Sequence, residues 1–392
     1  MAFYFSAYST PLLFGFVQAW IYALLLIGQG LREERLSGIL LGGVLIALAF
    51  EIWIYLLGFA GIEVFWRQLN FFPRTLGFLL PPLVYFYLRA QFNASFRFRI
   101  AHLWHLLPFA LHTAYHLAIF ARGQAYVRRW EATVHYLGVD DLEFVVATGQ
   151  RFLYLYWSFR LYYRYRTWIE TQFSDLAPIT FRWYRNFLIA LLLALVVSLL
   201  FTFLDAQIGL TYGQNWWNNL AGVVLIYYVS ITSYAQTKVT LPLYFDTDTI
   251  RERSSTSQSP ESSFDQEAIV DDRSEALAAL RSFMDAEKPY LNASLSVADL
   301  ARQLHSTPAV LSRLINAGTD HNFNSFVNSY RIDEFKRRAL DPQHEHLSFL
   351  AIALDCGFNS KATFNRSFKK ATGQSPKAFV QHMRNLERRG RR

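Results

Sequence analysis

The side chains with chemistry to offer lie near the end of the chain, in PAVLSRLIN (308–316) and KATFNRSFKK (361–370). In the later stretch Phe364, Phe368 and Ala371 fall on one helical stripe, which leaves Lys361, Asn365, Arg366, Lys369 and Lys370 for the other faces. In the earlier one Val310, Leu311, Leu314 and Ile315 are read as inward, and Ala309, Ser312, Arg313 and Asn316 lie between them. A guanidinium can donate two parallel hydrogen bonds, a carboxamide donates and accepts at once, and an ammonium is a point charge. Such a set suits recognition of a polyanion rather than bond-making. The chain holds no HExxH, GxSxG, P-loop or Ser–Lys pattern, no ATP site of the kinase kind and no receiver-like acidic pocket, so no enzyme activity is expected.

Both stretches need a turn before them and a stop after them. Cys356-Gly357-Phe358 supplies a corner, and Gly357 tolerates a positive φ there. Ser360 stands at an N-cap, Gly373 ends the helix and Pro376 opens the next. Upstream, Ser296 with Asp299 forms a capping box over SVADLARQL, and Thr307-Pro308 opens the 308–316 helix. A long helix is expected from Asn322 to Leu340, with Leu347–Leu354 before the Gly357 corner. Arg273–Glu287 is a further helix, Pro376–Asn385 closes the domain, and RNLERRGRR reads as a frayed tail.

The pattern G-F-x-S-x-x-x-F-x-R-x-F-K-x-x-x-G-x-S-P is filled by Gly357, Phe358, Ser360, Phe364, Arg366, Phe368, Lys369, Gly373, Ser375 and Pro376. It resembles the second helix-turn-helix of AraC-family transcription regulators, and the 296–316 pair resembles the first. The resemblance covers roughly residues 273–388, under a third of the chain. It implies two recognition helices joined by a rod, set into adjacent major-groove segments of double-stranded DNA. About 18 residues at ~1.5 Å each make a rod of ~27 Å, beside a groove repeat of ~34 Å. By that likeness the base-facing positions are Ala309, Ser312 and Arg313, then Lys361, Ala362, Asn365 and Arg366. Arg313 and Arg366 have the donors for guanine and Asn365 those for adenine, while Arg366 can instead brace the domain through an ion pair. Ser306, Thr307, Ser360, Lys369 and Lys370 are better placed for phosphates.

Charge supports that partner. Residues 273–392 hold 19 Lys/Arg against 11 Asp/Glu, whereas residues 238–272 hold 3 against 8. The rest differs in kind: the chain is 53% hydrophobic and 17% aromatic, and its apolar residues concentrate before residue 240. Seven stretches approach the ~20 apolar residues of a transmembrane helix: about 11–31, 38–61, 71–90, 101–121, 142–163, 185–205 and 216–236. Pro81-Pro82 weakens the third, Pro108 the fourth and Arg151 the fifth, so six spans is the neighbouring count. With seven, the inner loops carry ten arginines and the outer ones five, which puts the N-terminus outside and the C-terminus inside. The first positive charge is Arg32, so no cleavable signal peptide is expected, and the single Cys356 forms no internal disulfide.

The expected fold is therefore all-α: a polytopic transmembrane bundle (1–238), an acidic flexible linker (239–272), an AraC-type domain (273–388) and a basic tail (389–392). The expected place is the bacterial cytoplasmic membrane. Inside the spans, Glu51 and Arg151 can pair, and His112 and His116 share a helix face with His102 and His105. Glu51, His112, His116 and Arg151 are the candidate sensor residues. Interhelical hydrogen bonding is the favoured role of the histidines; no metal, cofactor or convincing carboxylate–histidine set is expected. Expected partners are double-stranded DNA, the lipid bilayer and an unidentified small-molecule or physical signal, with a homodimer as an option. A membrane transporter or enzyme with a fused DNA-binding tail, and a non-sensing DNA tether, are the alternatives.

Overall fold

The computed structural model describes residues 3–93, 95–173, 181–236, 266–319 and 321–390, and among the described residues no strand occurs. The chain divides into two compact units, Met1–Arg164 with Thr180–Asp246 and Tyr165–Ile179 with Thr247–Arg392.

The first unit is built on a hairpin of Ser9–Arg32 (α1) and Leu36–Phe59 (α2). Its buried stripe on α1 is mostly small: Ser9, Gly15, Ala19, Ala23 and Gly30 recur at helical spacing, with Leu12 and Leu26 among them. Small side chains let backbones approach closely. A Cβ on Gly42 would stand 2.9 Å from the Ala23 carbonyl, so only glycine fits that crossing. Val64–Arg67 (α3) is a single turn, and Leu80–Phe92 (α4) packs against α2. Leu107–Phe120 (α5), Gln124–Trp130 (α6), Asp140–Gln172 (α7), Phe181–Ile208 (α8) and Trp216–Gln236 (α9) follow.

Helices occur at all seven expected spans, but two fall short of span length. α4 has 13 residues and α5 has 14, each with proline in its first turn. Proline lacks the N–H that a continuing helix needs, so it starts these helices instead of sitting inside longer ones. The Ile100–Leu106 segment before α5 is a 3-10 helix; His105 on it meets Tyr154, and His112 and His116 on α5 meet Glu143, both partners being on α7. Among the described residues, three helices are long and apolar enough to cross a membrane: Ser9–Arg32, Leu36–Phe59 and Arg182–Ile208. On the last, Leu193, Val196, Leu200 and Phe203 form an outward stripe, each more than half exposed.

The second unit holds Gln266–Glu287 (α10), Val297–Gln303 (α11), Pro308–Thr319 (α12), Phe323–Leu340 (α13), Phe349–Asp355 (α14), Lys361–Thr372 (α15) and Pro376–Gly390 (α16). α10 begins seven residues before the expected start at Arg273, inside the stretch read as linker. Most of that linker, residues 239–265, lies outside the described residues, as do Arg391 and Arg392. The tail expected to fray is helical to Gly390.

Two cores share one rod. The N-terminal half of α13 gives Phe323, Phe326 and Val327 to a core with Leu280, Met284, Leu300, Leu311 and Ile315. Its C-terminal half gives Ile332, Phe335 and Ala339 to a second core with Ile352, Phe358, Phe364, Phe368 and Val380. The 18 residues of α13 span about 27 Å.

Candidate nucleic-acid interface

α11–α12 and α14–α15 close with the same backbone device. Ser306 N donates to Ala301 O at 2.8 Å and Phe358 N donates to Ala353 O at 3.1 Å, the six-to-one bond of a Schellman corner. The left-handed residue in the first is His305, φ +51°, and in the second Gly357, φ +90°. Each following helix is then capped by a hydroxyl: Thr307 Oγ1 accepts from Val310 N at 3.3 Å, and Ser360 Oγ accepts from Thr363 N at 3.2 Å. The capping box holds too, with Asp299 N donating to Ser296 Oγ at 3.2 Å and Ser296 N to Asp299 Oδ2 at 3.2 Å. Gly373 ends α15 at φ +74°.

These frames decide what each recognition helix shows. On α12, Leu311 and Ile315 are buried, Arg313 and Asn316 are exposed, and Ala309 and Ser312 are half-buried. Val310, expected inward, is 52% exposed, because the turn of helix holding Leu311 and Ile315 faces the core one residue further round. On α15, Lys361, Ala362, Asn365, Arg366, Lys369 and Lys370 are all exposed. Thr363 joins Phe364 and Phe368 in the buried stripe in place of Ala371, which is exposed. Arg313, Lys361, Arg366, Lys369 and Lys370 make no ion pair among the described residues, so the bracing pair considered for Arg366 is not formed there. Ser306 is half-buried, and Thr307 and Ser360 accept first-turn N–H groups with their capping hydroxyls.

The two helix-turn-helix lobes are also locked across their junction, where Gly357 is joined by Arg331, Glu334 and Asn359, which the sequence did not single out. Arg331 is fully buried; its Nε donates to Tyr290 O at 2.7 Å and its Nη2 to Asn292 O at 2.8 Å. Gly357 lies against the same loop, where a Cβ would come within 2.4 Å of Tyr290 O. Asn359 Nδ2 donates to Ala293 O at 3.1 Å. One turn on from Arg331, buried Glu334 accepts from Arg337 Nη2 at 2.5 Å and from Arg338 Nε at 2.6 Å. The hydrogen-bonded Arg337, with burial opposing and Arg338 reinforcing, holds the Glu334 carboxyl down at about 2. The signal for this cluster was present: an Arg and a Glu at i and i+3 on the inward face, with further arginines at i+6 and i+7.

In the first unit the structure brings Arg151 and Glu51 together, Nη2 to Oε2 at 3.6 Å. It also joins what the sequence kept apart. Glu143, from α7, lies 3.3 Å from His116 Nε2 and 3.6 Å from His112 Nδ1. The expectation that no carboxylate accompanies these histidines is thereby corrected; 27 residues separate Glu143 from His116, and only the fold unites them.

Residues 300–382 match a family described as a helix-turn-helix domain, of the AraC type. The match supports a DNA-binding transcription regulator of that type, with DNA as partner. A solved structure, that of a protein of unknown function from Listeria innocua, is 23% identical and matches over 27% of this chain and 94% of its own, with a TM-score of 0.24. That likeness is too slight to bear on fold or role.

Proposed function

We propose that the chain is a membrane-embedded one-component transcription regulator. Its second unit reads promoter DNA with two helix-turn-helix lobes in adjacent major-groove segments. Its first unit crosses the bacterial cytoplasmic membrane, with the N-terminus outside, and responds to a signal. The carrying observation is the pair of recognition helices: both present unpaired donors outward, and both are fastened to one 18-residue rod. Arg313 on α12 and Lys361, Asn365 and Arg366 on α15 are the base readers, with Ala309, Ser312 and Ala362 shaping the contact. Lys369 and Lys370 hold phosphates.

The membrane assignment is supported by the three span-length apolar helices and by the outward stripe Leu193–Phe203, which water would penalise. α7 and α9, at 33 and 21 residues, are the further long helices of a bundle in which α4 and α5 enter as shorter pieces. The Glu51–Arg151 pair and the His112, His116 and Glu143 group are among its polar features, and ionisable groups in a membrane interior mark functional positions.

The test has two arms. The full chain in lipid nanodiscs and a 265–392 fragment are each put through selection on random duplex DNA, and both are expected to return one bipartite sequence. A reporter behind that sequence should respond to a medium component with the full chain and lose the response when residues 1–240 are deleted. Recovery of no sequence by either protein contradicts the DNA reading; an unresponsive reporter across growth conditions contradicts the sensing.

A further inference from the structure

The histidine group in the first unit has the spacing of a metal site. His112 and His116 stand four residues apart on α5, and α7 brings Glu143 against both. His116 Nε2 is 3.3 Å from Glu143 Oε1 and His112 Nδ1 is 3.6 Å from Glu143 Oε2, and one ligand atom from each of the three residues lies within 4.8 Å of the other two. Around a tetrahedral divalent ion with bonds of ~2.0–2.1 Å, neighbouring ligand atoms stand about 3.4 Å apart. The two histidine–carboxylate separations are close to that value.

The hydrogen bonding agrees. His116 Nδ1 lies 3.3 Å from the carbonyl oxygen of Phe71, which can only accept, so Nδ1 carries the proton of this contact. In the neutral ring Nε2 then turns a lone pair toward a carboxylate, and two electron-rich groups face each other. His112 Nδ1, 3.6 Å from Glu143 Oε2, is buried and within hydrogen-bond distance of no partner among the described residues. A cation between the three removes both defects. A backbone carbonyl on the far nitrogen of a ligating histidine is the usual way to fix tautomer and ring angle. Phe71 holds that carbonyl with φ +69°, unfavourable for a bulky residue, and lays its ring on His116 with centroids 4.3 Å apart. The three side chains are only 12%, 13% and 24% exposed.

We propose that His112, His116 and Glu143 bind one divalent transition-metal ion of the zinc type through two imidazole nitrogens and a carboxylate, leaving a coordination position for water or a small ligand. A second proton on His116 is the competing way to fill the gap, and metal uptake separates the two. The full chain in detergent is stripped with chelator, titrated with Zn²⁺ by calorimetry, and titrated with Co²⁺ while its visible absorption is followed. One equivalent per chain is expected, with tetrahedral Co²⁺ bands. Outer-shell changes alone cost 10- to 100-fold in metal affinity, so loss of a ligand in Glu143→Gln should weaken uptake by more than about 100-fold and abolish the bands. Glu143→Gln is nearly isosteric, and circular dichroism checks that it folds; His112→Gln is the second variant, with the same expectation. Absence of stoichiometric uptake by the unaltered chain, or uptake unchanged in both variants, overturns the site. This readout does not pass through DNA, so its failure leaves the DNA reading intact.

Discussion

At the scale of single residues, the proposed function divides the exposed donors of α12 and α15 into base readers and phosphate holders. Arg313→Ala should cost about 1–3 kcal/mol on the preferred base pair and relax selectivity there. Lys369→Ala should weaken all sequences alike and flatten the salt dependence by about one unit of slope. Parallel selections and salt titrations on the two variants check both. The corner residues make an opposite pair. Gly357 has φ +90° and no room for a Cβ, so Gly357→Ala should destabilise the second unit by more than about 2 kcal/mol. His305 occupies the matching left-handed position with a side chain, so His305→Gly should stabilise by up to about 1 kcal/mol. Urea unfolding of the 265–392 fragment measures both. Glu334 adds a pH window. Its folded value is lowered from 4.5 to about 2, so its contribution is present above about 4.5 and is lost as pH falls toward about 2. Urea midpoints should decline across that interval, and Glu334→Gln should remove its part of the slope.

At the scale of elements, capping and corner chemistry were legible from the chain alone, because those contacts reach only a few residues. Ser296 with Asp299, Ser360, Gly357 and Gly373 all act as their types and spacing indicate. Helical periodicity was less sure at its margins, where Val310 and Ala371 turn outward and Thr363 inward. Contacts between distant segments were not legible. Arg331 meets the carbonyls of Tyr290 and Asn292 about 40 positions away, and Glu143 meets His112 and His116 across two helices. The proline-started helices α4 and α5 show a third limit: composition sums apolar residues but does not see where a missing N–H divides them. The Arg331 junction carries its own consequence. Replacing Arg331 with alanine strands two carbonyls and opens a void, so a loss of about 3 kcal/mol or more is expected in the same unfolding assay. Because rod and junction fix the separation of the lobes, one base pair inserted between the two half-sites should cost at least about tenfold in affinity; tolerance of the insertion would show the lobes to be independent.

At the scale of the whole molecule, a basic two-lobed domain and an apolar helical unit occupy one chain. If the first unit holds the domain at the membrane, the domain searches only DNA that comes near it, and the signal has one polypeptide through which to act. That economy depends on the second unit being a two-point reader. Hydroxyl-radical footprinting of the 265–392 fragment on its selected sequence tests this most directly. Two protected patches on one face of the duplex are predicted, about 10 base pairs apart, with Arg313→Ala erasing sequence preference in one patch and Asn365→Ala in the other. A single patch, or protection that is the same on every sequence, would contradict it.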